Sequence, residues 1–150
     1  EFDGSKLSHA CVMKRISEFN KNITQVGIRA LDKDESDYIQ RHKINTFFAH
    51  EKFDVKKILK TLKKNVYVTI DLDGFDPTVI PDVGTPEPAG LQFKQVTDLL
   101  KEVFKYRNVV GADVVELCPS KNSELSAYSS AKLVYKLIGF KAVNSTKNQY

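Results

Sequence analysis

The chain has 150 residues, of which 41% are hydrophobic and 28% charged, and its formal net charge is +4. This length predicts one domain, and the apolar fraction excludes an intrinsically disordered chain. The apolar runs are far shorter than the roughly 20 residues of a transmembrane helix, so we expect no membrane partner. The basic residues between 56 and 64 recur at helical spacing, which is typical of a solvated helix face, so we also expect no nucleic acid.

Helix-like and strand-like segments alternate along the chain. The spacing of apolar residues predicts helices over His9–Phe19, Asp34–Lys43, Asp54–Leu62, Phe93–Phe104 and Glu124–Phe140, and we expect a frayed tail over 144–150. Runs rich in β-branched residues predict strands over Ile23–Ile28, Asn45–Ala49, Asn65–Asp71 and Val109–Leu117. This alternation predicts a three-layer α/β/α fold, with a mostly parallel sheet covered by helices on both faces.

Residues 72–90 interrupt this alternation. They contain four of the five prolines and three of the seven glycines. A long irregular loop inside a compact domain is uncommon and is usually functional. In parallel α/β sheets, ligands bind beyond the carboxyl ends of the strands. We therefore expect the functional site where the strand Asn65–Asp71 passes into this loop.

Two carboxylates stand at this point, Asp71 and Asp73. In extended backbone, residues two apart point to the same side. Two carboxylates held together repel each other unless a cation or a proton lies between them, and oxygen ligands of this kind suit divalent cations such as Mg or Mn. The alternative is an ordinary turn, because Asp and Gly are common turn residues. The position after an apolar strand and before the long loop favours a metal site.

Two other kinds of site have a similar acidic motif. An EF-hand loop has its glycine at the sixth position, whereas Gly74 is the fourth residue counted from Asp71. The sequence strand-D-x-D-G also resembles haloacid-dehalogenase-type phosphatases, in which Asp71 would be a phosphorylated nucleophile. Phe75 stands where that family usually has Thr or Val, and no acidic pair occurs after Asp113. The phosphatase is therefore the weaker alternative.

The longer pattern around these carboxylates resembles the ureohydrolase family of arginase, agmatinase and related guanidino-group hydrolases. The pattern runs Asp71-x-Asp-Gly-x-Asp-Pro and continues through Gly84-Thr85-Pro86-x-Pro88-x-Gly90. The segment Val114-Val-Glu116-Leu-Cys-Pro119 resembles the late strand of the family, and Gly4-Ser-Lys-Leu-Ser-His9 resembles a stretch of its agmatinase-like members. The resemblance covers essentially the whole chain, in order.

This resemblance implies an arginase-like fold and a two-Mn site in which a metal-bridging hydroxide attacks a guanidinium carbon and releases urea. Asp71 matches the carboxylate that bridges both metals, and Asp73 matches one that binds a single metal. Glu116 matches the carboxylate that pairs with the substrate guanidinium. His9 matches a histidine that moves protons or contacts substrate, and Thr85 lies where the family's loop approaches the substrate. These are our candidate metal, catalytic and substrate-binding residues.

The family's first metal ligands, a histidine and a D-x-H-x-D motif, have no counterpart in these residues. The resemblance therefore implies that residues 1–150 are the C-terminal portion of a ureohydrolase domain, and that this portion alone is inactive. An alternative is a degenerate, non-catalytic subunit that assembles with an active one. Agmatine is the expected substrate and would be converted to putrescine. Guanidinobutyrate and arginine are the alternative substrates.

The family also implies a homo-oligomer, a trimer or a hexamer. The two cysteines form no C-x-x-C pair, which indicates free thiols in a reducing, cytoplasmic setting. Asp32 and Asp76 each have two candidate roles. Asp32 caps the following helix by default or contacts the substrate's head group, and Asp76 begins a turn or binds a metal-ligand histidine. His42 and His50 match no family ligand, and we expect both to be structural.

Overall fold

Four parallel strands form the framework of the part of the chain that the structure describes. The structure is a computed structural model, and it describes residues 1–119 and 124–146. The strands are β1 (Thr24–Ile28), β2 (Asn45–Phe48), β3 (Asn65–Asp71) and β4 (Asn108–Val115). All four lie within two residues of the predicted bounds at each end, because β-branched runs and their flanking turn residues mark strands well.

Five α-helices occur within the described residues: one precedes the strands, three connect them and one follows them. They are α1 (Val12–Phe19), α2 (Lys33–His42), α3 (Val55–Thr61), α4 (Phe93–Tyr106) and α5 (Leu125–Thr146). Two short 3-10 helices, His9–Cys11 and Leu72–Gly74, precede α1 and follow β3. Helix α5 continues six residues past its predicted end and takes in the first three residues of the expected tail. Residues 147–150 of that tail lie outside the described residues.

Side-chain caps fix where the middle helices begin. The Asp32 carboxylate accepts a hydrogen bond from the Glu35 backbone N–H, and the Glu35 side chain accepts one from the Asp32 backbone N–H. This reciprocal capping box starts α2 and confirms the default role of Asp32. The Asp54 carboxylate accepts hydrogen bonds from the N–H groups of Lys56 and Lys57 at the start of α3. None of the described helices combines the length and the apolar character that a membrane span requires.

The strands pair as two separate sheets of two parallel strands. In one sheet β1 pairs with β2, with Thr24 opposite Asn45, and in the other β3 pairs with β4, with Asn65 opposite Asn108. The prediction of parallel strands with helical connections is confirmed. The expected single sheet is not continuous, because no strand of the described residues joins the two pairs by a hydrogen-bond ladder.

The core lies between β3–β4 and helices α4 and α5. Ile70 of β3 and Val109 of β4 are buried against apolar residues of both helices, among them Leu100 and Leu133. The other face of the same strand pair is open within the described residues, since Tyr67 and Val110 each expose about three-fifths of their surface, 62% and 61%. Helices therefore cover one face of β3–β4, and the carboxyl ends of both strands emerge beside the open face.

The long segment after β3 is an ordered loop whose two ends are bound to each other. We call residues 76–90 the proline loop. The Asp76 N–H donates to the Leu91 carbonyl (3.0 Å), and the Leu91 N–H donates to the Gly74 carbonyl (3.0 Å). Phe75 and Leu91, both buried, form a parallel bridge between the two ends. The loop therefore leaves the core and returns to it beside the same strand end.

Gly90 permits this close approach of the two loop ends. A Cβ atom at Gly90 would lie 2.5 Å from the backbone N of Asp76 and 2.5 Å from the backbone C and O of Phe75. Backbone atoms cannot move aside as the end of a side chain can, so Gly90→Ala should lower the free energy of unfolding by about 1–3 kcal/mol. Urea denaturation measures this change.

Gly84→Ala is the matched control, because a Cβ atom at Gly84 meets nothing within 4 Å. It should leave the urea midpoint within experimental error of the wild type. Equal effects of the two substitutions would contradict the proposed closure of the loop at Gly90.

Candidate active site

The carboxyl ends of β3 and β4 bring the predicted acidic residues together. Asp71 is the last residue of β3 and lies opposite Val115, the last residue of β4. Glu116 follows immediately, so its charge lies beside that of Asp71. Parallel pairing in this register, rather than proximity in sequence, places residues from two distant segments of the chain at one edge.

Asp71 and Asp73 meet in a different way from the one that the sequence predicted. The backbone does not stay extended after Asp71, because residues 72–74 form a 3-10 helix. The Asp73 N–H instead donates to Asp71 Oδ1 (2.9 Å). Desolvation by the surrounding protein raises the pKa of the Asp71 carboxyl, and the negative charges of Asp73 and Glu116 raise it further. The expectation that both side chains share one face of an extended strand is therefore wrong, while their proximity holds.

The two oxygens of the Asp73 carboxylate have different surroundings. Oδ2 accepts hydrogen bonds from the Thr85 N–H (3.2 Å) and from the Thr85 hydroxyl. Oδ1 is buried and has no hydrogen-bond partner within the described residues. A buried carboxylate oxygen without a partner is costly. Thr85, which was predicted to approach the substrate, thus donates hydrogen bonds to Asp73 Oδ2. The Oδ1 atom of Asp73 stays available to another group.

The unpaired Oδ1 atom of Asp73 and the raised pKa of Asp71 are both consistent with a divalent cation at this edge of the strands. A cation beside Asp71 and Asp73 would offset their mutual repulsion and would give the Oδ1 atom of Asp73 a partner. Two carboxylates do not complete a two-metal site. No cluster of three or more His, Cys, Asp or Glu side chains arranged to hold a metal occurs in residues 1–119 and 124–146.

His9 and Glu116 face each other beside the two aspartates. The Nδ1 atom of His9 lies 3.5 Å from Oε1 of Glu116. The first 3-10 helix, capped by Ser8, carries His9. Glu116 has a φ of +67°, which an L-residue adopts rarely and usually at a cost of about 1–3 kcal/mol. The extended backbone of β4 ends at Val115, directly before this residue.

Asp76 organises the proline loop. Its carboxylate accepts hydrogen bonds from the Thr78 N–H and hydroxyl and from the Gly90 N–H (3.1 Å). These bonds lower the pKa of the Asp76 carboxyl, the Thr78 hydroxyl having the largest effect. Within the described residues the structure thus gives Asp76 the turn role and no histidine contact. The His42 ring lies tilted against Tyr38, and the His50 ring stacks on Phe48.

Two contributors to the site were not found in the sequence. Arg29, directly after β1, donates to the backbone around Asp73. The buried Ser126 hydroxyl donates to the Asp82 carboxylate (2.6 Å) and accepts from the Asp82 N–H (2.9 Å), which fixes the proline loop to the start of α5. Arg29 stands at a strand's carboxyl end, which is a usable signal, whereas nothing in the pattern around Ser126 distinguishes it.

The Thr85 hydroxyl should stabilise the folded protein through Asp73. Thr85→Val keeps the size of the side chain and removes the hydroxyl donor, so we expect a loss of about 1 kcal/mol in the free energy of unfolding. Thr85→Ser keeps the donor and should lose much less. Urea denaturation in metal-free buffer measures both, and a serine variant as unstable as the valine variant would refute the role of the hydroxyl.

The low pKa of Asp76 predicts a pH dependence. Hydrogen bonds in the folded state depress this pKa, so their stabilisation is complete above the ordinary aspartate value of about 3.9 and is lost as pH falls through the lower folded value. The melting temperature of wild type should exceed that of Asp76→Asn at about pH 6, and the difference should shrink below about pH 4. A difference that stays constant over this range would contradict the assignment.

Comparison with known proteins agrees with this geometry. The Arginase family model matches residues 1–139. The N(1)-aminopropylagmatine ureohydrolase of Synechocystis sp. is 39% identical over 145 residues, covering 93% of this chain and 47% of that protein. The enzyme of the same name from Thermus thermophilus is 41% identical over 150 residues, covering 97% of this chain and 50% of that protein. The chain thus spans about half the length of these curated relatives.

A solved structure shows the same fold. The crystal structure of agmatine ureohydrolase of Thermoplasma volcanium superposes with a TM-score of 0.87 at 29% identity, and the match covers 100% of this chain and 53% of that one. The arginase-like fold is therefore confirmed, and the haloacid-dehalogenase alternative is set aside. The match over nearly the whole length shows that the chain belongs to the Arginase family and is related to enzymes that hydrolyse guanidino groups.

Proposed function

We propose that this chain is the C-terminal portion of a Mn-dependent ureohydrolase that releases urea from a linear guanidino amine. The observation that carries the proposal is the meeting of four predicted residues at one strand edge. Asp71, Asp73 and Glu116 lie at the carboxyl ends of β3 and β4, and His9 lies 3.5 Å from Glu116. The family assignment supports hydrolysis of a guanidino group by the full-length protein.

Asp71 and Asp73 would hold the metal. Asp73 offers Oδ1, which is buried and has no hydrogen-bond partner among the described residues, and Asp71 offers a carboxylate whose neighbours already disfavour its negative charge. Bound Mn ions would supply a water molecule of lowered pKa, which a resonance-stabilised guanidinium requires as a nucleophile near neutral pH. We propose that the remaining ligands come from a preceding part of the full-length protein.

Glu116 would bind and orient the substrate. A carboxylate and a guanidinium form two parallel charge-assisted hydrogen bonds, which fix the plane of the guanidinium as well as its position. Glu116 lies one residue past the position opposite Asp71. A guanidinium paired with Glu116 would therefore lie beside the metal ligands.

His9 would move a proton to or from the substrate. The amine that leaves the guanidino carbon must gain a proton, and imidazole is suited to this transfer near neutral pH. The His9 side chain is 76% exposed and lies against Glu116. It can therefore exchange protons with solvent and reach a substrate that Glu116 holds.

Agmatine, hydrolysed to putrescine and urea, is the substrate that we propose. Arginine carries an α-carboxylate, which needs a hydrogen-bond donor or a cation as its partner. Asp32, the candidate contact for the head group of the substrate, is an acid and is already engaged in capping α2. The two relatives from Synechocystis and Thermus are named for N(1)-aminopropylagmatine. That compound is the competing candidate, since it also lacks an α-carboxylate.

Urea release with added Mn tests this function. The isolated 150 residues should bind Mn weakly and release no urea from agmatine, N(1)-aminopropylagmatine or arginine, because they supply ligands to only one side of the metal pair. The full-length protein should release urea, with the highest kcat/KM on agmatine. Glu116→Gln in the full-length protein should lower kcat/KM by about 100-fold or more, because the neutral amide loses the charged pairing.

Each result has a clear consequence. Turnover by the isolated chain would refute the claim that further ligands are needed. A full-length protein that folds but releases no urea from any of the three substrates would support the degenerate, non-catalytic subunit instead. A higher kcat/KM on N(1)-aminopropylagmatine or arginine than on agmatine would show that the proposed substrate is wrong, while the proposed reaction, release of urea, would stand.

A further inference from the structure

Arg29 connects the strand β1 to the metal motif and to the proline loop. It follows β1 directly and is half-buried. Its nitrogens lie within hydrogen-bond distance of five backbone carbonyl oxygens, those of Gly27, Asp73, Phe75, Glu87 and Pro88. Within the described residues, every hydrogen bond of this guanidinium goes to a backbone carbonyl.

The shortest of these contacts reach two different segments. Nη2 lies 2.7 Å from the Asp73 carbonyl oxygen and 2.6 Å from that of Glu87, while Nε lies 3.1 Å from that of Pro88. One planar guanidinium thus holds the backbone of the metal motif and the returning arm of the proline loop at a fixed spacing. A lysine ammonium has no second nitrogen to replace the Nε contact with Pro88, and it lacks the rigid plane that fixes Nη2 between the Asp73 and Glu87 carbonyls.

The same two segments hold the Asp73 carboxylate. Thr85 stands two residues before Glu87, and its N–H and hydroxyl both donate to Asp73 Oδ2. A closed ring of contacts therefore runs from the Asp73 backbone through Arg29 to Glu87, along the loop to Thr85, and back to the Asp73 side chain. Opening this ring at Arg29 would let the loop move relative to Asp73, and Thr85 would move with it.

We propose that Arg29 is a positioning residue of the guanidino-hydrolysis site, which holds the proline loop on Asp73 so that Asp73 Oδ1 faces the metal. This inference rests on the proposed function for its consequence in catalysis, and on the hydrogen bonds alone for the positioning itself. Arg29 touches neither the predicted substrate carboxylate Glu116 nor His9 by any hydrogen bond or ion pair of the described residues. Its hydrogen bonds therefore act on the site through Asp73 and the loop that carries Thr85, and its positive charge also opposes the rise of the Asp71 pKa. Arg29→Lys keeps that charge and so tests the hydrogen bonds.

The chain offers a matched control in Arg107. This arginine also donates only to backbone carbonyls within the described residues, those of Leu59, Leu62 and Tyr106. It lies directly before β4, at the opposite end of the strands from Asp73. A general loss of stability from removing a half-buried guanidinium should appear at both positions, whereas an effect on Asp73 should appear only at Arg29.

The test compares Arg29→Lys, Arg29→Gln and Arg107→Lys with wild type in the full-length protein. Amide hydrogen exchange, followed by NMR without added metal, should be at least about tenfold faster at Thr85 in both Arg29 variants, relative to the β3 amide of Val68. Arg107→Lys should leave this ratio unchanged. If Arg29→Gln does not fold, Arg29→Lys decides the result. An unchanged ratio in Arg29→Lys, or an equal increase in Arg107→Lys, would overturn the proposal.

Mn affinity, measured by the EPR signal of free Mn, gives the second measurement. Residues that orient metal ligands typically change metal affinity by about 10–100-fold, so Arg29→Lys should bind Mn at least about tenfold more weakly than wild type, while Arg107→Lys should match it. Equal Mn affinities of wild type and Arg29→Lys would overturn the proposal. A wild-type protein that binds no Mn would refute the proposed function, and the exchange ratio at Thr85 would still decide the positioning by Arg29.

Discussion

The carboxylate of Asp73 is the constraint on which the rest of the site depends. One of its oxygens receives two hydrogen bonds from Thr85, while the other is buried with no partner in the described residues. A protein that leaves a buried carboxylate oxygen unpaired gives up stability unless a further group completes it. Here the negative charge of the neighbouring Asp71 disfavours another anion and favours a cation or a proton. The proposal that Asp73 Oδ1 is a metal ligand rests on this asymmetry between its two oxygens.

The proline loop is much longer than a connection from β3 to α4 requires, and its contacts position Thr85 against the Asp73 carboxylate. Asp76 and Gly90 bring its ends together, the bond between Asp82 and Ser126 fixes its middle to α5, and Arg29 holds its returning arm. Its prolines reduce the freedom that the loop would otherwise lose on folding. The loop can therefore deliver Thr85 to Asp73 with little mobility, and sites held in this way orient their ligands reproducibly.

The sequence predicted the elements better than it predicted the contacts. Strand β3 and the cap at Asp54 follow from local rules, because β-branched runs and side-chain caps act over a few residues. Which strands pair did not follow from local rules, since pairing depends on residues distant in sequence; in the described residues β1 pairs with β2 and β3 with β4. Asp71 and Asp73 were correctly placed together, but for a wrong reason, because the 3-10 turn at Leu72 replaces the extended backbone.

The roles of individual side chains could not be predicted from the sequence. Thr85 was expected near the substrate, and only the fold shows that its hydroxyl binds Asp73. Arg29 carries no local motif, because its carbonyl partners lie as far as 59 positions away along the chain.

Counting the Mn ions that the full-length protein binds with and without Asp73 is the most direct test of the metal site. EPR titration of wild type should give two Mn ions per chain, the number that a two-metal hydrolytic site holds. Asp73→Asn, which keeps the shape of the side chain and removes its charge, should lose one of them or bind both far more weakly. Two ions bound with unchanged affinity in Asp73→Asn would contradict the assignment of this strand edge as the metal site.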